Sequence, residues 1–270
     1  MLYSPLKRER QRAMSDRRGI MTAPRNIGRL SRVESGWVKV LTAMLMLTLA
    51  ALLSVPVQAD SCSLPGSLPA ARMVKVDCQV DAPVTGYVLA LSWSPAFCDS
   101  AAGQRDSNDF QCRDNQFRWV VHGLWPQNFD AKGARCSQPR HCQATLVDAA
   151  TVRDNLCIMP GVQLIQGEWQ KHGSCAFDAP ADYFSDIQQL WQRIQRPPLE
   201  SLAQGGRIRS AAIKQAFIAL NPGLRSDDML VQAGKNNRFN EIFICLDKQG
   251  QFRRCNGNGV PDHVVLQLVQ

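Results

Sequence analysis

The distribution of cysteine is the feature that most restricts what this chain can fold into. The sequence of 270 residues contains ten cysteines, and all of them lie after residue 59. An even number of cysteines in a segment of this size is typical of disulfide-bonded proteins from an oxidising compartment. A structural zinc site is the alternative, but neither a CxxC pair nor an HxxxH motif occurs. We therefore expect up to five disulfide bonds and no bound metal ion.

The first 59 residues have the pattern of an N-terminal leader with a secretory signal peptide. Ten of the 31 Lys and Arg residues and three of the 23 Asp and Glu residues lie there, which leaves residues 60–270 with a net charge of +1. The uncharged, leucine-rich run Val40–Val55 follows Lys39 and precedes Pro56. This pattern predicts cleavage after Ala59 and a periplasmic or secreted protein. A membrane anchor is the alternative, but the run is shorter than the ~20 residues that span a bilayer.

Residues 60–270 are predicted to form one α+β domain. Gly86–Trp93 and Phe117–Val121 are apolar and rich in strand-forming residues, and Pro126 is expected to end the second strand. Strands and helices are segregated along the chain rather than alternating, which indicates the α+β class. The other predicted elements are helices within 148–173, 182–195 and 213–220, and strands at 239–247, 251–255 and 264–269.

Three disulfide predictions follow from local sequence. A hairpin centred on Gly250 places Cys245 opposite Cys255, where a cross-strand bridge is geometrically reasonable. The segment 60–82 contains two cysteines and is expected to be closed by its own bridge. The polar loop 128–143 is expected to be held by Cys136 and Cys142.

Two short segments contain two of the four histidines and carry most of the chemical information. VVHGLWPQ contains His122, and GEWQKHGSC contains Glu168, Lys171 and His172. In a helix Glu168, Lys171 and His172, at positions i, i+3 and i+4, lie on one face. Gly173 is predicted to be the C-cap of this helix. Imidazole titrates near neutral pH, so two histidines can divide the roles of acid and base between them.

These residue types fit in-line displacement at phosphorus. One histidine removes a hydroxyl proton, the other protonates the leaving oxygen, and Lys171 stabilises charge on the phosphoryl oxygens. RNA carries the required nucleophile in its 2′-OH whereas DNA does not, so we expect an RNA substrate and no cofactor. A hydrolase with a Ser or Cys nucleophile and a zinc protease are the alternatives. However, GxSxG and HExxH motifs are absent, and Cys175 is expected to be disulfide-bonded.

VVHGLWP and EWQKHGSC resemble the two active-site signatures of the ribonuclease T2 family, and LALSWSPAFC at 89–98 is similar to the first strand of that family. The resemblance covers about residues 85–260, and the signal peptide makes the chain similar to the bacterial periplasmic members, the ribonuclease I proteins. It implies a central antiparallel sheet flanked by helices. It also implies metal-independent cleavage of single-stranded RNA to 2′,3′-cyclic phosphates, followed by hydrolysis to 3′-phosphates.

The resemblance also implies a role for each residue of the two signatures. His172 is the expected general base on the 2′-OH and His122 the general acid on the leaving 5′-oxygen. Glu168 and Lys171 are expected to stabilise the pentacovalent phosphorane. Trp125 is the expected stacking surface for a base, and stacking of this kind tolerates any base.

Two positions depart from the family pattern. Gly167 stands where many members have a histidine associated with phosphate binding. Gln127 stands where many have an acidic residue that helps select the base, so it is a substrate-binding candidate with an open base preference. The family often joins the cysteine of KHGxC to the loop after HGLWP, which implies that Cys175 pairs with Cys136 or Cys142.

The remaining histidines, His141 and His263, are expected at the surface without a catalytic role. Trp93, Trp119 and Trp169 are expected in the core.

Two other classes of function stay open: an RNA-binding module without catalysis, and a secreted toxin or interaction protein with a target other than bulk RNA. The net charge of +1 on residues 60–270 predicts modest nonspecific affinity for RNA. We expect a monomer that acts on RNA and not on DNA, with no stable membrane association after signal cleavage.

Overall fold

A four-stranded antiparallel β-sheet organises the fold. The computed structural model describes residues 62–133 and 136–270, so the predicted leader and its cleavage site lie outside the described residues. The strands in chain order are β1 (Gly86–Trp93), β2 (Trp119–Gln127), β3 (Arg207–Arg209), β4 (Met229–Ala233), β5 (Phe239–Asp247) and β6 (Val265–Gln267). The central sheet has the order β2-β1-β5-β4, and β3 pairs with β6 in a separate two-stranded sheet.

Six α-helices flank the sheet among the described residues. They are α1 (Ser94–Cys98), α2 (Asp109–Cys112), α3 (Ala149–Asn155), α4 (Val162–Lys171), α5 (Pro180–Arg193) and α6 (Ser210–Leu220). Helices α4 and α5 pack against β2, and α6 packs against β4. The predicted α+β class with a central antiparallel sheet flanked by helices is confirmed. Within the part of the chain that the structure describes, none of the helices is both long enough and apolar enough to cross a membrane.

The two faces of the central sheet have different surroundings. Alternate residues of β1, among them Leu89, Leu91 and Trp93, point into the main hydrophobic core and are fully buried. Trp119 and Trp169 are also buried there, so all three predicted core tryptophans are confirmed. The opposite face carries a smaller buried cluster of Val88, Cys245 and Cys255, against which Trp125 and Phe243 pack.

Strand β2 continues through the proline that was predicted to end it. Pro126 lies opposite Tyr87 in regular register, and pairing extends to Gln127, so the prediction of a stop at Pro126 was wrong. The reason is that β2 is an edge strand. An edge strand tolerates proline where the missing N–H faces away from the sheet.

The predicted second arm of the C-terminal hairpin is not a strand. Beyond the turn only Phe252 forms a bridge, to Leu246. The Asp247 side chain accepts hydrogen bonds from the backbone N–H groups of Gln249 and Gln251, which tightens the turn and directs the chain out of the ladder. Cys245 and Cys255 are nevertheless joined, as the hairpin register predicts.

All ten cysteines pair. The bonds are Cys62–Cys157, Cys78–Cys136, Cys98–Cys112, Cys142–Cys175 and Cys245–Cys255. The bond to Cys175 is one of the two alternatives that the family resemblance implies. Two local predictions were wrong: segment 62–82 is not closed on itself, and Cys136 is not bonded to Cys142. Instead, the two N-terminal cysteines tie that segment to distant parts of the chain, which proximity in sequence could not indicate.

Removing the bond between Cys142 and Cys175 is expected to reduce both stability and activity. The double variant Cys142→Ala/Cys175→Ala should lose about 2–4 kcal/mol of unfolding free energy. It should also have a lower kcat on RNA below its melting temperature, because Cys175 lies in the turn directly after His172. Denaturant unfolding and initial rates measure the two effects. The control, Cys62→Ala/Cys157→Ala, should lose stability while keeping kcat; equal kcat in both double variants would contradict the prediction.

Candidate active site

A β-bulge in β2 positions His122. Ala90 lies opposite Gly123 whereas Leu91 lies opposite Val121, so His122 is an extra residue in its strand. In a regular strand residues three apart point to opposite faces, which would separate His122 from Trp125. The bulge re-aims the side chain and brings both onto the face away from the main core. Their rings are in edge contact, with centroids 5.3 Å apart.

Glycine at position 123 lets a helix carboxylate reach the sheet. A Cβ atom there would overlap Glu168 Oε2 and would lie 2.7 Å from Trp125 Nε1. The φ angle of Gly123 is not in the left-handed region, so the constraint is one of space rather than of backbone conformation. Any larger residue at this position must move the Glu168 carboxylate away from β2.

Trp125 connects the two signatures. Its indole N–H donates a hydrogen bond of 2.7 Å to Glu168 Oε2. Its ring lies 5.5 Å from the His172 ring at a tilt of 32° and 5.0 Å from the Phe243 ring. The side chain is half-buried. Trp125 therefore lies between the two histidines and holds the carboxylate beside them.

Helix α4 supplies Glu168, Lys171 and His172. Glu168 is buried, and the other two are half-buried. The helix ends at Lys171, and the His172 backbone N–H donates to the Glu168 carbonyl oxygen at 3.0 Å. The prediction that Gly173 is the C-cap was wrong, because the C-cap is His172 and Gly173 has no positive φ angle. A Cβ there would lie 2.6 Å from the Tyr183 ring and 2.8 Å from Trp169, so glycine is needed for close packing instead.

The loop before Cys142 docks on the C-terminal end of α4. The His141 backbone N–H donates to the Lys171 carbonyl oxygen at 3.0 Å, and its ring contacts Asp77 Oδ1 through Nε2 at 3.0 Å. His141 is only 6% exposed, so the prediction of a surface histidine was wrong. Its neighbour Cys142 is bonded to Cys175, so this end of the loop is joined to the turn that follows α4. The other predicted surface histidine, His263, is exposed.

A small pocket opens where the family pattern has a histidine. A Cβ at Gly167 would meet only Val74, at 3.6 Å. The pocket has a volume of about 290 Å³, and Lys171, Arg140 and Asp77 also line it. Arg140 binds both carboxylate oxygens of Asp77, at 2.8 and 2.6 Å, so these two charges compensate each other.

Opposite effects act on the two imidazoles. Burial acts to lower the pKa of His122, but the hydrogen bond to Glu241 and the charges of Glu168 and Glu241 outweigh it and raise the pKa above its usual value. Burial, together with the charges of Lys171 and Arg140, lowers the pKa of His172 to about 2. At neutral pH His122 therefore holds a proton readily and His172 is neutral.

The carboxyl group of Glu168 has a raised pKa and lies beside His122. Burial raises its pKa, and this effect outweighs the opposing influence of His122, Trp125 and Lys171. Its Oε1 lies 3.6 Å from His122 Nε2. A carboxyl group with a raised pKa carries a proton more readily than an exposed glutamate, and in that form it is a hydrogen-bond donor.

Glu241 is a residue of the site that neither signature contains. Its Oε1 lies 2.7 Å from His122 Nδ1 and also accepts a hydrogen bond of 2.5 Å from the Ser92 hydroxyl. The sequence held one signal: Asn240 and Glu241 are the only polar residues in the otherwise apolar run Phe239–Leu246. A carboxylate in a buried strand needs a partner, and such groups cluster at functional sites.

The predicted base-binding residue Gln127 lies at the end of β2, two residues after Trp125, where it pairs with Gly86. Its side-chain amide donates to the Pro126 carbonyl oxygen at 3.1 Å. Its role with substrate stays a prediction. A cleft of about 1480 Å³ opens beside His122 and Glu241 and is large enough for nucleotides. Across residues 62–133 and 136–270, no group of three or more His, Cys, Asp or Glu side chains is arranged to hold a metal ion.

Comparison with known proteins gives consistent matches. The sequence profile of the Ribonuclease T2 family matches residues 84–255. A probable ribonuclease of Haemophilus influenzae is 40% identical over 185 residues, 64% of this chain and 62% of that protein. Ribonuclease I of Escherichia coli is 29% identical over 143 residues, 40% of this chain and 53% of that protein. The structure of trichomaglin, an S-like ribonuclease, superposes with a TM-score of 0.56 at 19% identity, covering 69% of this chain and 98% of that one.

The fold and site define an α+β protein with two histidines suited to acid–base chemistry. The chain belongs to the ribonuclease T2 family, because the profile of that family matches more than half of it. The resemblance of the two signatures is thereby confirmed. The matches span 62% and 53% of the lengths of the two bacterial relatives.

Proposed function

We propose that this protein is an exported endoribonuclease that cleaves single-stranded RNA with low base specificity. The first step is metal-independent transphosphorylation to 2′,3′-cyclic phosphates, and the second is hydrolysis to 3′-phosphates. The observation that carries the proposal is the placement of His122 and His172 beside Trp125, with ring centroids 5.3 and 5.5 Å from the indole ring. The pKa directions of the two imidazoles, raised for His122 and lowered for His172, agree with it. A reaction that takes one proton and gives another needs one neutral and one protonated imidazole at the same pH.

In the first step His172, neutral at physiological pH, accepts the proton of the 2′-OH. The 2′-oxygen attacks the adjacent phosphorus, and His122 donates its proton to the departing 5′-oxygen. Negative charge collects on the non-bridging oxygens of the phosphorane, where Lys171 stabilises it by charge and Glu168, whose pKa is raised by burial, is the second stabilising group. In the second step the two histidines exchange roles, and water opens the cyclic phosphate.

Low base specificity rests on the chemistry of the candidate contacts. Trp125 remains half-exposed, and an aromatic face stacks on any base. Gln127 has both donor and acceptor atoms, whereas the acidic residue of many relatives only accepts. The absence of a 2′-OH makes DNA an inert ligand rather than a substrate.

Export is supported by the pairing of all ten cysteines, because disulfide-rich domains form in oxidising compartments. The signal-like pattern within residues 1–59 agrees with this. We propose that residues 60–270 are the mature catalytic domain, acting as a monomer in the periplasm or outside the cell without lasting membrane association.

The pH profile of kcat/KM follows from the two pKa directions. Activity requires protonated His122, so it falls as pH rises through the raised pKa of that residue, above 6.5. Activity also requires neutral His172, whose pKa is about 2, so the rate stays high well into the acidic range. Initial rates on a dinucleotide between pH 4 and 9 measure this. A rate that keeps rising up to pH 9 would contradict the assigned roles.

The function itself is tested by incubating the purified, oxidised protein with total RNA or with single-stranded DNA in EDTA. We expect RNA to be degraded to fragments with 2′,3′-cyclic phosphate ends while DNA stays intact. An RNA-binding module would retard RNA without cutting it, and a toxin with another target would do neither. Cleavage that persists in the variant His122→Ala/His172→Ala would also contradict the proposal.

A further inference from the structure

His122 has a carboxylate partner that neither signature contains. Its Nδ1 lies 2.7 Å from Glu241 Oε1, within hydrogen-bond distance, and the carboxylate is held in turn by the Ser92 hydroxyl at 2.5 Å. The side chain of Glu241 is 20% exposed and that of His122 is 38% exposed. A carboxylate that is mostly shielded from water keeps a hydrogen bond that solvent does not readily replace.

The sheet itself fixes the position of Glu241. Ser92 and Glu241 are directly opposite in the β1–β5 ladder, so their side chains share a face. A second bulge lies beside this pair: Gln232 is opposite Glu241 but Ala233 is opposite Phe239, which leaves Asn240 unpaired. Two bulges, at His122 and at Asn240, therefore flank the contact. Strand positions of this kind hold side chains more rigidly than loops.

The second ring nitrogen of His122 faces α4. Nε2 lies 3.6 Å from Glu168 Oε1, too far for a good hydrogen bond, and Lys171 opposes a proton on the ring by charge. The Glu168 carboxyl is already engaged by the Trp125 N–H. The hydrogen bond made by one imidazole nitrogen determines the protonation of the other nitrogen, and so whether that second nitrogen can donate a proton.

We propose that Glu241 is a positioning residue for the general acid: it accepts the Nδ1–H of His122 and so presents the Nε2–H to the leaving 5′-oxygen. Ser92 keeps the carboxylate in place. After the proton transfer, Glu241 holds the proton that remains on Nδ1, and the neutral ring regains its Nε2 proton from water in the hydrolytic step. This role rests on the proposed function, since it requires His122 to be the acid. Burial acts to raise the pKa of Glu241, but the hydrogen bonds to His122 and Ser92 and the charge of His122 outweigh it and lower that pKa, so the carboxylate is charged at neutral pH.

Glu241→Gln tests the inference, because it keeps the shape of the side chain and removes its charge. Proton NMR of the oxidised protein follows the four histidines, and the His122 resonance is the one missing from His122→Ala. We expect the pKa of His122 to fall by about 1 pH unit or more in Glu241→Gln. The falling limb of the kcat/KM profile, which reports the free enzyme, should move to lower pH by the same amount, which lowers kcat/KM about 10-fold above neutral pH.

Two further variants separate positioning from general damage. Ser92→Ala should shift the same limb in the same direction by less. Glu200→Gln removes a carboxylate that pairs with Arg118, and it should leave the His122 titration and the pH profile unchanged. Thermal melts of all three variants identify any loss of folding.

The titration needs no RNA, so failure of the inference and failure of the function are distinguishable. An unchanged His122 titration in Glu241→Gln overturns the inference whatever the activity. A fall in kcat with an unmoved pH limb overturns it as well, since that is the signature of a structural role. If the wild type leaves RNA intact while the titration shifts, the proposed function is wrong and the His122–Glu241 coupling stands.

Discussion

Replacing either catalytic histidine by alanine is expected to lower kcat on RNA about 10²–10⁴-fold, the usual contribution of a general acid or base. The two variants should differ when the leaving group is changed. A nucleoside 3′-(4-nitrophenyl phosphate) has a leaving group that departs without protonation, so His122→Ala should recover most of its activity on it. His172→Ala should lose as much activity on this substrate as on RNA, because the 2′-OH still needs a base.

His263, which is exposed and belongs to neither signature, provides the matched control, and His263→Ala should behave as wild type on both substrates. Rates on RNA at several pH values complete the comparison of the two histidine variants. His172→Ala still contains His122, so only its rate should fall at high pH as His122 loses its proton. Equal losses on the activated substrate in both histidine variants would contradict the separation of acid and base roles.

The second large effect is expected at Gly123, which touches no substrate in this account. In Gly123→Ala the new methyl group overlaps Glu168 Oε2 and crowds Trp125 Nε1, so the carboxylate must leave its place beside His122. We expect kcat to fall about 10²-fold, comparable to the loss of one preorganised electrostatic group. The free energy of unfolding should fall by about 1–3 kcal/mol, as is usual for overpacking, and the protein should stay folded.

Gly167→Ala is the control for Gly123→Ala. Its Cβ meets only Val74 at an ordinary contact distance, and the position is inside α4, where alanine is about 1 kcal/mol more favourable than glycine. This variant should be slightly more stable and as active as the wild type. Activity in Gly123→Ala equal to that in Gly167→Ala would show that Glu168 is dispensable or finds another position.

The four residues of the two signatures could be found from sequence because local spacing places them. Glu168, Lys171 and His172 share a helix face by periodicity alone, and the short strand before His122 was equally visible. The bulge that turns His122 toward Trp125 could not be predicted from the sequence, because a bulge depends on the register between two strands and has no signal in the sequence of one strand. Glu241 was missed for a related reason: its contact with His122 spans 119 residues and exists only once β1 separates β2 from β5.

A disulfide between cysteines close in sequence could be predicted, and one between distant cysteines could not. Cys245 and Cys255 are 10 residues apart across a turn, so local geometry predicts their bond. Cys62 and Cys157 are 95 residues apart, and only the packed fold brings them together. Pro126 and Gly173 were misread because their usual local roles, as strand breaker and helix cap, are overridden by an edge-strand position and by close packing on Tyr183.

The central claim is that the histidine pair directs the substrate's own 2′-OH against the neighbouring phosphorus. A DNA oligonucleotide containing a single ribonucleotide, incubated with the protein in EDTA, tests this most directly. We predict one cut, immediately 3′ of the ribonucleotide, with a 2′,3′-cyclic phosphate on one product and a 5′-hydroxyl on the other. Cleavage at deoxynucleotides, 5′-phosphate products, or loss of activity in EDTA would contradict the account.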